Sequence, residues 1–250
     1  MGSNKKARSP FEFKQFSLTD DGCSMKIGTD GVLLGAWAAR FALETGRKKV
    51  LDIGTGCGII ALMIAQKTAS VIHAIETEKS AVITARRNIE ASPWQKKITL
   101  FHCPLQNFLS SEEHSYDLMV CNPPFFNSSY LSENTGRSHA RHDVTLGFND
   151  LFFHSARLLT PEGCLLVIYP TDNSPFIERA LLKARLYEYR KIYIYPTPEA
   201  KPIRIIREVG RQPIATKPEK KYIIIESGKR HQFSEEYIAL TREYHPFMDS

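Results

Sequence analysis

The stretch of sequence that decides the fold is Val50-Leu51-Asp52-Ile53-Gly54-Thr55-Gly56-Cys57-Gly58. Residues 50–53 are mostly apolar and read as a buried strand, and residues 58–67 have the pattern of a helix. A strand, a glycine-rich turn and a helix in this order are typical of an open α/β sheet, which binds ligands at the carboxyl ends of its strands. We therefore expect a ligand at this turn.

Strand and helix patterns alternate through the rest of the chain. They predict strands at 71–75, 98–102, 118–121 and 164–169, and helices at 80–91, 149–159 and 176–184. Further strands are expected at 187–195, 203–209 and 222–226, and a last helix at 233–244. Prolines interrupt the late strands, which favours antiparallel pairing there. The expected fold class is α/β, with a mostly parallel, twisted sheet, helices on both faces and antiparallel strands at the C-terminal end.

Composition argues against several classes of protein. Of the 250 residues, 42% are hydrophobic and 24% are charged, which is enough apolar content for a full-sized core. No apolar run approaches the roughly 20 residues that cross a bilayer, and no apolar segment follows the basic N-terminus, so we expect neither a membrane partner nor a signal peptide. The five cysteines are scattered without a Cys-x-x-Cys pair, which suits the reducing cytoplasm and argues against disulfides and bound metal.

Positive charge is concentrated in residues 183–222. This segment contains eleven Lys or Arg residues and four Glu residues, a net charge of +7, whereas the whole chain carries +6. A nearly neutral body with one basic stretch suggests contact with a nucleic acid, and Arg204, Arg207 and Arg211 are the candidates for phosphate contacts. The alternative is a solvated edge strand that Lys and Arg protect from aggregation.

The glycine turn also indicates which ligand it binds. Its glycines have the spacing G-x-G-x-G, whereas the dinucleotide fingerprint is G-x-G-x-x-G, and Asp52 precedes them. An acid at the mouth of the turn repels a pyrophosphate and attracts an ammonium or a sulfonium, and S-adenosylmethionine carries both cations and no phosphate. Gly54 and Gly56 allow the backbone to approach a flat ligand, and Thr55 and Gly58 complete the expected cofactor turn. An ordinary helix-packing turn is the alternative.

Two later strand ends are expected to complete the cofactor site. Glu76 ends the second strand, where a carboxylate can accept both ribose hydroxyls. Pro104 follows the third strand at a position where methyltransferases of this architecture often have an Asp that binds the cofactor's adenine. Gln106, Asn107 or the backbone amide of Leu105 must then take over that contact.

The most specific motif is Asn122-Pro123-Pro124-Phe125 at the end of the fourth strand, followed by Phe126. It resembles the (D/N/S)PP(Y/F/W) motif of methyltransferases that act on exocyclic or amide nitrogen. Such a nitrogen is a poor nucleophile because its lone pair is delocalised, so two acceptors on its two N–H bonds stabilise the pyramidal, charged transition state. The Asn122 side-chain oxygen and the Pro123 carbonyl are the expected acceptors, with Asn122 also bordering the cofactor. The prolines stiffen the turn, and Phe125 offers a face for stacking the base. The alternative is a strand-ending turn with two core aromatics.

Over nearly its whole length the chain resembles the bacterial adenine-37 N6-methyltransferases of valine tRNA. The resemblance rests on the glycine turn, on the Asn-Pro-Pro-Phe-Phe motif, and on the segments 13–16, 25–37, 140–142 and 237–244. It implies a Rossmann-like class I methyltransferase fold, S-adenosylmethionine as the cofactor, and methyl transfer to N6 of an adenine in tRNA. The implied target is A37 of valine tRNA, in the cytoplasm.

The resemblance also implies a division of the chain and several site residues. Residues 1–48 form an N-terminal extension that contributes Lys26, Thr29 and Asp30 to the cofactor pocket, and residues 49–250 form the methyltransferase domain, within one globular unit. Arg137 and Arg141 are implied to face the substrate. Read from the residues alone, the Thr-Asp-Gly step at 29–31 is also a good turn or helix N-cap, and Arg137 also suits a plain surface loop.

Three other functions stay open. Guanine-N2 methylation of ribosomal RNA also uses Asn-Pro-Pro-Phe, although a His commonly follows where this chain has Phe126. Methylation of a glutamine amide in a protein usually goes with Asn-Pro-Pro-Tyr. A non-catalytic RNA-binding module that keeps the fold belongs to another class, and the intact Asn122, Gly54, Gly56 and Gly58 speak against it.

Overall fold

A computed structural model of the chain describes residues 9–108, 116–124 and 146–246. The strands within these ranges are β1 (Phe11–Glu12), β2 (Ser17–Leu18), β3 (Lys49–Ile53), β4 (Val71–Glu76), β5 (Ile98–His102), β6 (Tyr116–Cys121), β7 (Leu159–Pro170), β8 (Tyr187–Tyr195), β9 (Arg204–Gly210) and β10 (Glu219–Ile224). The helices are α1 (Thr29–Thr45), α2 (Ile59–Lys67), α3 (Lys79–Ala91), α4 (Leu105–Phe108), α5 (Phe148–Leu158), α6 (Ser174–Ala184) and α7 (Glu235–Thr241).

Eight strands form one mixed sheet in the order β10-β8-β9-β7-β6-β3-β4-β5. The five strands β7, β6, β3, β4 and β5 run parallel to one another, and β9 is antiparallel to both β7 and β8. The predicted fold class, a mostly parallel sheet with antiparallel strands towards the C-terminal end, is confirmed.

The sheet is covered on both faces because its strands are apolar on both sides. Alternate residues of β3 enter two different cores: Val50 belongs to one, and Leu51 and Ile53 belong to the other. The first core receives buried residues of α1, α2, α3 and α7, and the second receives those of α4, α5 and α6. Such double coverage is what a parallel sheet with continuous apolar strands requires.

Helix α1 lies before the first strand of the parallel sheet and packs on α2. The two helices approach closely at Gly35, where an added Cβ would lie 2.6 Å from the sulfur of Met63. Phe13 and Phe16 join the same core as these helices. The described part of residues 1–48 therefore shares a core with the sheet, and the boundary placed at residue 48 stays a prediction.

The last strand differs from the expected antiparallel arrangement, since β10 pairs with β8 in parallel. Gly210 at the end of β9 lies opposite Tyr187 at the start of β8, and Glu219 at the start of β10 lies opposite Arg190. The chain therefore reverses after β9, passes the start of β8 and runs along its outer side in the direction of β8. No helix in the described ranges combines the length and the hydropathy needed to span a membrane.

Candidate active site

The glycine turn and Asn122 meet at one edge of the sheet. Strands β3 and β6 are parallel neighbours with Ile53 opposite Cys121, so the residues that follow them emerge side by side. Both border one cavity, which also receives the segment before α1, the start of α1, the end of β8 and the start of β9. The lining residues are Met25, Lys26, Ile27, Gly28, Thr29, Asp30, Gly31, Gly54, Thr55, Gly56, Cys57, Ile59, Ile60, Asn122, Ile194, Ile203, Arg204 and Ile225.

The turn after β3 presents bare backbone to this cavity. Gly54 has a φ of 67° and Gly56 a φ of 57°, in the left-handed region that favours glycine. An added Cβ at either residue would meet nothing within 4 Å, so the space above the turn is open. The amides of Gly54 and Thr55 both donate to the carbonyl oxygen of Ile75, which fixes the turn to the end of β4.

Asp52 does not lie at the mouth of this turn, and the prediction that it forms an acidic mouth is wrong. Its side chain is fully buried because, like Val50, it points beneath α2. Its Oδ2 accepts hydrogen bonds from Thr55 Oγ1 at 2.6 Å and from the Ala61 amide at 3.2 Å, and so ties the strand end to the helix start. Oδ1 is buried without a hydrogen-bond partner in the described residues. Burial raises the pKa of Asp52 to about 7, although the hydrogen bonds from Thr55 and Ala61 lower it.

Glu76 ends β4 beside the glycine turn, as its position in the sequence predicted. Its Oε2 accepts from the Gly56 amide at 2.9 Å, and its Oε1 accepts from the amides of Thr77 at 2.7 Å and Glu78 at 3.0 Å. The carboxylate therefore braces the turn from the outside and does not line the cavity. Its binding of a ribose stays a prediction.

Three other residues assigned to the cofactor also lie outside the cavity lining. Gly58 is the N-cap of α2, and an added Cβ there would lie 3.8 Å from Ile89 of α3. Leu105 is buried in the second core, and Gln106 follows it in the short helix α4. Their contacts with a cofactor stay predictions.

Asn122 has one satisfied and one unsatisfied end. Its Nδ2 donates to the thioether sulfur of Met25 at 3.6 Å, whereas its Oδ1 is buried without a partner in the part of the chain that the structure describes. Pro123 is buried and Pro124 is exposed. The remaining residues predicted around this motif, Phe125, Phe126, Arg137 and Arg141, lie outside the described residues.

The segment before α1 and the start of α1 bring Lys26, Thr29 and Asp30 to the cavity, and their contacts with a cofactor stay predictions. Lys26 donates from Nζ to the Asp20 carbonyl oxygen at 2.8 Å. Thr29 is the first residue of α1, and Gly28 is its N-cap. Asp30 accepts from Arg204 Nε at 2.8 Å, so this arginine of β9 belongs to the cavity wall and is paired there.

Arg207 does not reach the surface, and the prediction that it contacts substrate phosphate is wrong. It is 1% exposed, because alternate residues of β9 point to opposite faces and this one lies beneath α6. Its guanidinium lies 2.7 Å from Glu188 Oε2, donates to Glu178 Oε1 at 3.0 Å and donates to the Tyr169 hydroxyl. Arg211 is half-buried and donates to the Leu159 carbonyl oxygen at 3.1 Å, and its contact with RNA stays a prediction.

Sequence reasoning missed part of the cavity wall. Ile194, Ile203 and Ile225 line it, and Met25 contacts Asn122. The available signal was topological, since Ile194 is the penultimate residue of a strand that ends at the same edge of the sheet as β3 and β6. Within the described ranges, no group of three His, Cys, Asp or Glu side chains is placed to hold a metal ion.

Comparison with known proteins places the chain in a family. The family model described as the methyltransferase small domain matches residues 38–193. A tRNA1(Val) (adenine(37)-N6)-methyltransferase of Parabacteroides distasonis is 37% identical over 235 residues, which cover 94% of this chain and 97% of the relative. The enzyme of the same name from Phocaeicola vulgatus is 39% identical over 239 residues, with the same coverage. The chain belongs to the tRNA1(Val) (adenine(37)-N6)-methyltransferase family.

The family assignment confirms the resemblance read from the sequence and the prediction that the chain is a methyltransferase. A solved structure described as a predicted O-methyltransferase of Agrobacterium tumefaciens superimposes with a TM-score of 0.65 over 86% of this chain and 96% of its own. The two sequences are 15% identical, so the similarity concerns the fold alone.

Proposed function

We propose that this chain transfers a methyl group from S-adenosylmethionine to N6 of an adenine in tRNA, with A37 of valine tRNA as the target. Relatives named for this reaction match at 34–39% identity along 94–98% of the chain. A tRNA substrate gives the cytoplasm as the expected location.

The unpaired oxygen of Asn122 is the observation that carries the proposal. A buried acceptor without a hydrogen bond costs about 1–3 kcal/mol, and a substrate NH₂ group is the donor that would remove this cost. The Asn122 side-chain oxygen accepts a hydrogen bond from one N–H of the amine, and the Pro123 carbonyl oxygen accepts a hydrogen bond from the other N–H. These acceptors favour the pyramidal nitrogen that attacks, so they act more strongly on the transition state than on the bound substrate.

The residues around the cavity suit S-adenosylmethionine. When bound, this cofactor supplies an electrophilic methyl group on a sulfonium. Gly54 and Gly56 offer a surface without side chains, and the start of α1 at Thr29 carries the partial positive charge that suits the cofactor's carboxylate. The Glu76 carboxylate beside the turn is the group proposed to accept the ribose hydroxyls.

The reaction needs no strong base in the protein. The nitrogen becomes positively charged as it is methylated, and its proton is then acidic enough to leave to water. The roles of Phe125 in stacking the base and of Arg137 and Arg141 in contacting the substrate remain part of this proposal.

The test is incubation of the purified chain with labelled S-adenosylmethionine and, in separate reactions, total tRNA, ribosomal RNA and protein from cells that lack the gene. Nucleoside mass spectrometry should find the label in N6-methyladenosine. Label in N2-methylguanosine of ribosomal RNA, or in glutamine of protein, would assign the chain to a rival reaction. Absence of label from every acceptor would favour a non-catalytic binding module.

The position is tested with a tRNA1(Val) transcript and a matched transcript in which A37 is replaced by G. The proposal expects methylation of the first and none of the second. Equal methylation of both transcripts would leave the reaction in place and move the target to another adenine.

A further inference from the structure

Three tyrosines on β8 and β10 form a partly exposed aromatic cluster, in which Tyr193 and Tyr195 are half-buried and Tyr193 also packs against the second core. The rings of Tyr193 on β8 and Tyr222 on β10 are stacked, with centroids 5.9 Å apart and planes 20° apart. Tyr195 contacts Tyr222 at a centroid distance of 6.2 Å. Tyr222 is 58% exposed. We call these three residues the tyrosine face.

Register and alternation explain why the three rings share a face. Tyr222 lies directly opposite Tyr193 in the β8–β10 pair, and Tyr195 is two residues further along β8. Ile194 on β8 and Ile223 on β10, which are next to these tyrosines in sequence, point to the other face and are buried in the first core. In the described part of the chain, the hydroxyls of the tyrosine face have no hydrogen-bond partner, so the rings are not held in place by their polar ends.

The tyrosine face lies next to the cavity, on the other side of the same sheet edge. Tyr195 directly follows Ile194, and the Ile225 amide donates to the Tyr195 carbonyl oxygen. Both isoleucines line the cavity that contains Asn122 and the glycine turn. A nucleic-acid strand that approached Asn122 across this edge of the sheet would pass the tyrosine face.

One lysine, unpaired in the described part of the chain, adds positive charge to this surface. Lys220 lies on the same side of β10 as Tyr222, is exposed, and has no ion pair within the described residues. Lys191 lies opposite it, although it is paired with Glu178 at 3.5 Å and Glu188 at 3.2 Å. A cation beside exposed aromatic rings is the pattern of a single-strand surface, in which bases stack and the backbone follows positive charge.

We propose that the tyrosine face stacks unpaired nucleotides that flank the target adenine in the anticodon loop, while Lys220 contacts a neighbouring phosphate. The inference rests on the proposed function. Extraction of one base from the loop stack leaves its neighbours without a stacking partner, and aromatic rings accept any base because every base has a π face. The tyrosine face thereby contributes affinity for the loop without reading its sequence.

The first test replaces the central ring. Tyr222→Ala should weaken binding of a tRNA1(Val) transcript and raise its KM by roughly tenfold, with cofactor affinity unchanged. Tyr222→Phe should bind as the unmodified chain does, because the ring remains. Tyr187→Ala is the matched control, since Tyr187 is a 41% exposed tyrosine at the opposite end of β8. If Tyr222→Ala proves poorly folded by thermal unfolding, Tyr195→Ala gives the same comparison.

The second test separates stacking from charge. Tyr222→Ala should leave the slope of log affinity against log salt unchanged, whereas Lys220→Ala should make it shallower by about 0.7–0.9. Loss of binding in Tyr222→Phe as well as Tyr222→Ala, or unchanged binding in Tyr222→Ala, would overturn the inference. So would light scattering that shows a dimer which Tyr222→Ala dissociates, because the face would then bind a second copy of the chain.

These outcomes are distinguishable from failure of the proposed function. Filter binding measures affinity for the transcript whether or not methyl transfer occurs, so the tyrosine face is tested even if A37 is not methylated. Methylation of A37 with full activity in Tyr222→Ala would remove this inference and leave the proposed function intact.

Discussion

The two halves of the sheet use their polar side chains in opposite ways. Around β3 and β6, Asn122 Oδ1 and Asp52 Oδ1 are buried without hydrogen-bond partners in the described residues. Around β8 and β9, Arg207 is equally buried but is surrounded by Glu178 and Glu188. Unpaired buried groups are costly. Of these two, only Asn122 borders the cavity, where a ligand can supply the missing hydrogen bond.

The basic stretch, residues 183–222, contains further charged side chains that are paired within the protein. Arg190 lies 2.7 Å from Glu208 and 2.5 Å from Glu219, and Trp37 of α1 donates to Glu208 at 2.8 Å. These contacts connect β10, β8, β9 and α1. Part of the positive charge that suggests a nucleic-acid surface is therefore neutralised inside the protein, and the exposed Lys220 remains for a partner.

The largest expected effect concerns Arg207. Arg207→Met should lower the free energy of unfolding by about 3 kcal/mol, because it leaves the largely buried Glu188 without its closest cation. Urea denaturation measures this change, and the KM for tRNA should not move. Lys220→Met is the control for stability alone, which should stay within about 0.5 kcal/mol of the original. If Arg207→Met raised the KM for tRNA and left stability unchanged, the prediction that Arg207 contacts a substrate phosphate would be supported after all.

The second effect concerns the open space above the glycine turn. Gly56→Ala should weaken S-adenosylmethionine binding about 30-fold, which is about 2 kcal/mol, because the new Cβ enters that space. Gly46→Ala is a matched control, since Gly46 at the end of α1 has a φ of 65° and an equally open Cβ position away from the cavity. Isothermal titration calorimetry gives both affinities. If Gly56→Ala and Gly46→Ala lost equal affinity for S-adenosylmethionine, the cause would be backbone strain and not the filled space.

The third effect is a pH dependence from Asp52. Its folded pKa of about 7 lies above the usual 3.8, so between these values the folded chain holds a proton that the unfolded chain has released. The free energy of unfolding should therefore fall as the pH rises through this interval, by up to about 1.4 kcal/mol per pH unit. Asp52→Asn should remove this part of the slope in urea denaturation at several pH values, and an unchanged slope would contradict the buried, protonated state.

The smallest expected effect concerns Met25. Met25→Leu removes the sulfur that accepts from Asn122 Nδ2, so the amide loses the contact that orients it. We expect kcat to fall about threefold with KM unchanged, which is less than about 1 kcal/mol. Met63→Leu, within α2 and outside the cavity lining, should leave kcat unchanged. A rise in KM with kcat unchanged would show that Met25 acts on substrate affinity instead.

Much of the fold followed from local sequence pattern, and the failures have physical causes. The strands at Ile98–His102 and Tyr187–Tyr195 were predicted with the observed bounds, because apolar runs between turn residues define them. Helix α1 escaped notice because residues 31–36 are all buried, so its sequence shows no polar face. The parallel pairing of β10 depends on where the chain crosses, which no local pattern encodes.

The sequence predicted which strand ends form the candidate site, but it did not predict which charged side chains point into the protein interior. The sequence placed the glycine turn and Asn122 at neighbouring strand ends, and both border the cavity. It misplaced Asp52 and Arg207, because charge alone suggests a surface position. Both residues lie in interior strands that are buried on both faces, and the strand order that buries them is not visible in the charge of the residues.

One measurement tests the central claim that the Asn122 oxygen holds the amine at the cofactor cavity. Single-turnover methylation of tRNA by Asn122→Ala should be slowed by about 100-fold or more, while calorimetry should find S-adenosylmethionine binding within about twofold of the unmodified chain. Turnover at the original rate in this variant would contradict the account.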